Sequence, residues 1–217
     1  MMSLVPVKTP SVVKKMFPHY VWSIPTSEPV IYLTFDDGPT PEITEWTLEL
    51  LKKFDAKATF FCIGNNIEKY PDIFQSIISC GHTIGNHTHN HLKGWKTKTK
   101  NYLQNISKAE FIIGSQCYKT NLFRPPYGRI KPKQAKQLIA LGYRIIMWDV
   151  LTFDWDKDIS NEKCLENVID NTSNGSIIVF HDSIKASKNM MNVLPKVLEH
   201  YSKLGYTFEA LEFKDIA

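Results

Sequence analysis

The segment Val30-Ile31-Tyr32-Leu33-Thr34-Phe35 is short, β-branched and aromatic, and it runs straight into Asp36-Asp37-Gly38-Pro39. A continuous apolar run of this length reads as a strand buried on both faces, the habit of parallel sheets in α/β proteins. Gly38 and Pro39 stop it. Parallel α/β sheets keep their ligands at the carboxyl ends of strands, so Asp36 and Asp37 stand where such a fold does its chemistry. Adjacent carboxylates repel, and at least one of them needs a cation or a proton there. By themselves these residues also suit an ordinary turn or a helix N-cap. The rest of the chain has to decide.

Seven apolar runs read as strands: Val30–Phe35, Ala58–Ile63, Thr83–His87, Leu122–Arg124, Tyr143–Trp148, Ser176–Phe180 and Tyr206–Leu211. Between them lie helical patterns such as Pro41–Phe54, Lys98–Ser115, Lys133–Leu141 and Asn192–Lys203, several ended by Gly81, Gly114, Gly142 or Gly205. Alternation of this kind argues for a parallel sheet, and seven strands suit a closed or nearly closed barrel. With 217 residues, 43% of them hydrophobic, the chain can bury a full core as one domain. No repeat or linker divides it.

Three of the seven histidines fall within five residues, in Gly85-Asn86-His87-Thr88-His89-Asn90-His91. On a helical turn or tight loop His87 and His91 point to one side, whereas in an extended strand His89 would join them. Gly81–Asn86 already reads as a strand ending here, so the helical geometry is expected. His89 then faces away, behind the pair or at the surface. Two neutral imidazoles plus a carboxylate from Asp36 or Asp37, with a position left for water, make a hydrolytic metal site.

Thr34–Pro39 together with His87-Thr88-x-x-His91 resembles the polysaccharide deacetylase family, the carbohydrate esterases with a NodB-homology domain. Three further motifs follow in that family's order: Arg124-Pro125-Pro126-Tyr127-Gly128, Asp154-Trp155, and Val179-Phe180-His181-Asp182. The resemblance implies a distorted (β/α)7 barrel as the catalytic domain, residues 30–217, with residues 1–29 as an N-terminal extension packed on it. It implies that Asp37, His87 and His91 hold a divalent metal, zinc foremost. Asp36 is then the general base toward the metal-bound water, and Arg124 keeps it ionised and aimed. Tyr127 contributes a backbone N–H to the oxyanion. His181 is the general acid, Asp154 is hydrogen-bonded to it, and Trp155 walls the acetyl pocket. Two positions depart from the pattern. Leu151 stands where the family often has aspartate, and Val179 where it often has leucine. Neither does chemistry, so both bear on pocket shape and substrate.

Elementary chemistry agrees with these roles. Amide hydrolysis needs a nucleophile, charge stabilisation at the carbonyl oxygen and a proton for the amine. A zinc-bound water can have its pKa lowered to about 7. Arginine stays charged and offers a bidentate fork to a carboxylate, and a carboxylate beside a histidine raises its pKa toward the acid form.

Cys62, Cys80, Cys117 and Cys164 are widely spaced with no C-x-x-C pair, which suggests buried free thiols in a reducing compartment. The N-terminus has no apolar stretch of signal-peptide length, and no segment is long enough to span a membrane. A cytoplasmic location is therefore expected, with export as the alternative for a chain whose leader has been trimmed. The net charge of +4 is too modest to imply a nucleic-acid partner. Lys93, Lys96, Lys98 and Lys100 read as a solvated loop, with Trp95 among them either a sugar-stacking residue or a helix anchor. The expected activity is metal-dependent removal of acetyl groups from an N-acetylated sugar, such as chitooligosaccharide or peptidoglycan. The alternatives are an O-acetyl esterase, a deacylase of another small amide, and an inactive relative that binds glycans.

Overall fold

Strand parity organises this molecule. The computed structural model describes residues 5–212; Met1–Leu4, the start of the expected extension, and residues 213–217 lie outside the described residues. In chain order the elements are α1 (Ser11–Met16), β1 (Tyr20–Val21), β2 (Val30–Asp36), α2 (Ile43–Lys53), β3 (Ala58–Cys62), α3 (Gly64–Lys69), α4 (Pro71–Ser79) and β4 (Thr83–Asn86). They continue as α5 (Thr99–Ser115), β5 (Leu122–Phe123), α6 (Pro132–Ala140), β6 (Arg144–Ile146), β7 (Val150–Leu151), α7 (Asn161–Ile169), β8 (Ile177–His181), α8 (Ser187–Lys203) and β9 (Thr207–Phe208). In β2, Ile31, Leu33 and Phe35 join the core packed under the helices, whereas Tyr32 belongs to an apolar group on the opposite face with Phe61 and Ile146. Side chains alternate along a strand, so Thr34 and Asp36 share the face of Tyr32, on the inside of the curl.

The sheet runs in the order β1-β6-β5-β4-β3-β2-β8-β7, with β9 beside β2, and every ladder is parallel. Its registers set Asp36 opposite His181 of β8 and Phe61 of β3. The carboxyl ends of β2, β4, β5 and β8 therefore converge on one rim. Phe35 stacks on Phe60 at 4.9 Å and on Phe180 at 6.0 Å, fastening the three central strands from the helical side. Each such pair adds about 0.5–1.5 kcal/mol beyond the area it buries.

All seven expected strands are present, within a residue or three at their ends. The expected distorted barrel takes the form of a curled parallel sheet, left open between its edge strands β1 and β7. Those two were not anticipated, because two-residue strands carry too little periodicity to read. The N-terminal segment lies along the opening: Lys8 bridges antiparallel to Val150, and Ser23 to Ser176. Gly81, Gly142 and Gly205 end their helices in the left-handed conformation, but Gly114 lies inside α5, which continues to Ser115. Cys62 and Cys164 are buried as expected. Cys117 is not: it sits exposed in the turn after α5, with a φ of 59°. Among the described residues no helix is long and apolar enough to cross a membrane.

Candidate active site

The inside of the curl carries one fully buried cation, Arg124, at the carboxyl end of β5. Its Nη1 donates to Asp36 Oδ1 and to Thr34 Oγ1, each at 2.7 Å. Nη2 donates to Met147 O at 2.8 Å, Nε to Ile146 O at 3.3 Å, and the guanidinium lies 4.1 Å from the ring centre of Phe61. The fork is therefore shared among β2, the end of β6 and an aromatic face, and it meets Asp36 through one nitrogen, not the two expected. Burial opposes ionisation of Asp36, but Arg124, with His87 and His181, more than offsets it and holds the carboxyl below its usual range. A buried carboxylate kept ionised is what a base requires.

Asp37 behaves differently from its neighbour. Its φ of 82° breaks the strand alternation, so the two adjacent carboxyls part company. Gly38 follows because nothing larger fits: a Cβ there would collide with the carboxyl of Asp182. Asp182 accepts from Gly38 N–H at 3.0 Å and from the Thr44 hydroxyl at 2.5 Å, tying the loop to α2 and β8. Neither Asp182 nor Thr44 was singled out from sequence as a support, although an acidic residue directly after His181 was the available signal.

His87 follows β4, and its Nδ1 lies 2.8 Å from Arg124 O, which places the proton on Nδ1 and leaves Nε2 as a lone-pair donor. Burial, chiefly, pushes its pKa down to about 4, so it is neutral. His87 Nε2 and His91 Nε2 lie 3.7 Å and 3.2 Å from Asp37 Oδ1. That oxygen is buried and receives no hydrogen bond. The donor atoms of Asp37, His87 and His91 all fall within 4.8 Å of one another. Three lone-pair donors converging on one point, one of them an orphaned carboxylate oxygen, fit a divalent cation. The segment His87–His91 is not the expected helical turn. It is an irregular loop with Thr88 and His91 at left-handed φ of 64° and 53°. His89 does face away, but it is buried, with Nε2 2.8 Å from Lys108 Nζ and 3.5 Å from Glu68 Oε2.

At the end of β8, Asp154 accepts from the backbone N–H of His181 at 2.7 Å and faces its Nδ1 at 2.9 Å. Although burial disfavours the charged ring, Asp154, with help from Asp37 and Asp36, raises its pKa to about 9. Nε2 is then the nitrogen left for a ligand. Trp155 meets the ring of His181 edge-on at 4.8 Å. Tyr127, at a left-handed φ of 61°, lies 4.7 Å from the ring of His91 and edge-on to Trp95 at 5.3 Å. Asp37, His91 and Tyr127 all carry left-handed backbone at this one rim, where such strain serves to aim side chains.

Of the nine site residues expected from the sequence, all except Arg124 and Asp154, which hold Asp36 and His181 from behind, border one cavity of about 460 Å³. Trp95 borders it too and is thus a rim residue, with the Arg129 guanidinium 5.4 Å from its ring. Val5, Trp148, Arg129 and Lys185 also border the cavity and were missed from sequence, because none belongs to a motif.

A curled parallel sheet with a buried Asp–Arg pair, a two-histidine, one-carboxylate cluster and a His–Asp pair on its carboxyl rim is the build of a hydrolytic barrel enzyme. Comparison with known proteins agrees. A family model described as polysaccharide deacetylase matches residues 23–146. A peptidoglycan-N-acetylglucosamine deacetylase of Bacillus cereus is 36% identical over 194 residues, covering 88% of this chain and 70% of that protein. A chitooligosaccharide deacetylase of Azorhizobium caulinodans is 32% identical over 190 residues, covering 86% and 90%. A solved peptidoglycan N-acetylglucosamine deacetylase superposes with a TM-score of 0.86 at 35% identity, covering 94% of this chain and 95% of that one. The chain belongs to the polysaccharide deacetylase family.

Proposed function

We propose that this protein hydrolyses the acetamide of N-acetylglucosamine residues in a glycan, peptidoglycan or chitooligosaccharide, and releases acetate. The observation that carries the reading is the meeting of three units at one cavity: Asp36 held by Arg124, the cluster Asp37, His87 and His91, and His181 held by Asp154. Residues 30–217 would form the catalytic domain, with the preceding segment as an extension of it.

Asp37, His87 and His91 would hold a divalent cation, zinc by the chemistry of the donor set. Such a cation would supply Lewis-acid polarisation of the amide carbonyl and a water of lowered pKa. Asp36 takes the proton from the attacking water. Arg124 keeps Asp36 anionic and fixes its direction, so that positioning compensates for a weak base. The Tyr127 backbone N–H stabilises the developing oxyanion. His181, held protonated by Asp154, gives its proton to the departing amine. Trp155 bounds the space for the acyl group, and Trp95 offers a face on which a sugar ring stacks.

The test is acetate release from N-acetylglucosamine oligomers and from peptidoglycan, measured beside bound metal. Stoichiometric metal with acetate release supports the reading; metal-loaded protein that releases no acetate from either glycan refutes it. A deacylase of other small amides uses the same groups and would appear as a preference for non-sugar acetamides. The four free thiols suit a reducing, cytoplasmic compartment, which cell fractionation checks.

A further inference from the structure

Beside Trp155, one wall of the cavity is made of apolar residues to which the proposed chemistry gives no role. Leu151, Val179 and Trp155 line it, and Val5 joins them from the N-terminal segment. Leu151 and Val179 belong to an apolar cluster with Phe153, against which Val7, Trp148 and Trp155 pack. The two positions at which this chain departs from the family pattern therefore both stand in this wall. A wall without charge distinguishes ligands by size.

The N-terminal segment is clamped in place. Val7 O accepts from Leu151 N–H at 2.9 Å, Thr9 N–H donates to Asp149 O at 2.8 Å, and the Thr9 hydroxyl donates to Trp148 O at 2.8 Å. Beside these bonds Asp149, only 2% exposed, receives Lys8 Nζ at 2.7 Å on one oxygen and Lys14 Nζ at 2.6 Å on the other. The Ser176 hydroxyl donates to it at 2.6 Å. Helix α1 buries none of its residues and is too short to persist alone. Its placement, and with it that of Val5, thus depends on edge pairing and on this buried anion held by two cations.

We propose that the N-terminal segment is the outer lip of the acyl pocket, held by the clamp of Lys8 and Lys14 on Asp149, so that Val5 limits which N-acyl group is removed. The inference rests on the deacylase reading above. Val5 is here a specificity residue, and Lys8, Lys14 and Asp149 are positioning residues that act through it. One methylene in an apolar pocket is worth about 10–200-fold in discrimination.

The experiment measures kcat/KM of the full-length, metal-loaded enzyme on matched N-acetyl and N-propionyl glucosamine oligomers. Val5→Ala should raise the propionyl-to-acetyl ratio about tenfold, and Val5→Phe should lower it. Lys8→Met leaves Lys14 and Ser176 on Asp149, so the fold persists; it should raise the ratio and speed amide exchange at residues 5–9. Lys8→Arg should restore both. Wild-type enzyme that releases neither acid removes the deacylase reading itself. Wild-type enzyme that releases acetate, with all three ratios unchanged in Val5→Ala, Val5→Phe and Lys8→Met, overturns the lip alone. Faster exchange in Lys8→Met without a change in ratio also overturns it, since the clamp then serves only the fold.

Discussion

Replacing Arg124 by methionine removes the charge while keeping most of the volume, and the structure indicates what that costs. Arg124 is fully buried and donates to Asp36, Thr34, Ile146 O and Met147 O. Its loss leaves a carboxylate that is 4% exposed without its main counter-charge. Breaking a buried pair from one side costs about 3–5 kcal/mol, a large part of the roughly 5–15 kcal/mol that holds a domain together. For a chain of this size that is roughly 6–20 °C in Tm. The loss should depend on pH. In the wild type Asp36 has a depressed pKa, so its contribution is present above its unfolded value, near 4. That contribution disappears as pH falls through the folded value. In the variant burial is opposed only by His87 and His181, so the pKa rises and Asp36 takes up a proton more readily and weakens as a base. The stability gap between the two proteins should therefore be widest near pH 7, begin to narrow as pH falls through the variant's raised pKa, and be smallest below the depressed folded value of the wild type, where both bind the proton. Denaturant melts of metal-stripped protein across pH measure this, with acetate release beside them. A gap under about 1 kcal/mol at pH 7, or one that does not change with pH, would refute the reasoning that Arg124 exists to hold Asp36 ionised.

Further outcomes follow from the same geometry. His87→Ala and His91→Ala should each lose bound metal and activity together, while His89→Ala keeps metal and pays only in stability; metal analysis by mass spectrometry separates them. Asp37→Ala should empty the site, whereas Asp36→Asn should retain metal and lose about 10²–10⁴-fold in kcat. Near-normal turnover in Asp36→Asn would leave the mechanism without its base. His181 must carry a proton to act as acid, and its pKa is raised to about 9, so kcat should fall as pH climbs through that region. Asp154→Asn removes the main raising partner and should move this alkaline limb toward the ordinary histidine value; an unmoved limb would assign it to another group.

The sequence was sufficient wherever the controlling physics is local. The apolar run of β2 with its abrupt Asp36–Pro39 stop, and the strand–helix alternation after it, announce a parallel sheet with carboxylates at a strand end. The spacing of His87 and His91 puts them together in any tight geometry, and that pairing survived although the loop is not helical. Failures came where the signal was short or the neighbours distant. Strands β1 and β7 span two residues each and carry no period. Trp95 was undecidable, because stacking and anchoring demand the same residue.

What separates Asp36 from Asp37 lies partly within the strand and partly beyond it. Alternation turns Asp36 inward with Thr34, and the left-handed φ of Asp37 turns the next carboxyl out toward the histidines. The partner that makes Asp36 a base, Arg124, is 88 residues away, and the clamp that brings Val5 to the cavity joins Lys8 to Asp149 across 141. Periodicity, turns and motif order are properties of neighbouring residues, so the chain alone determines them. Which buried charge finds which partner depends on how far the sheet curls, and only the packed tertiary structure decides that.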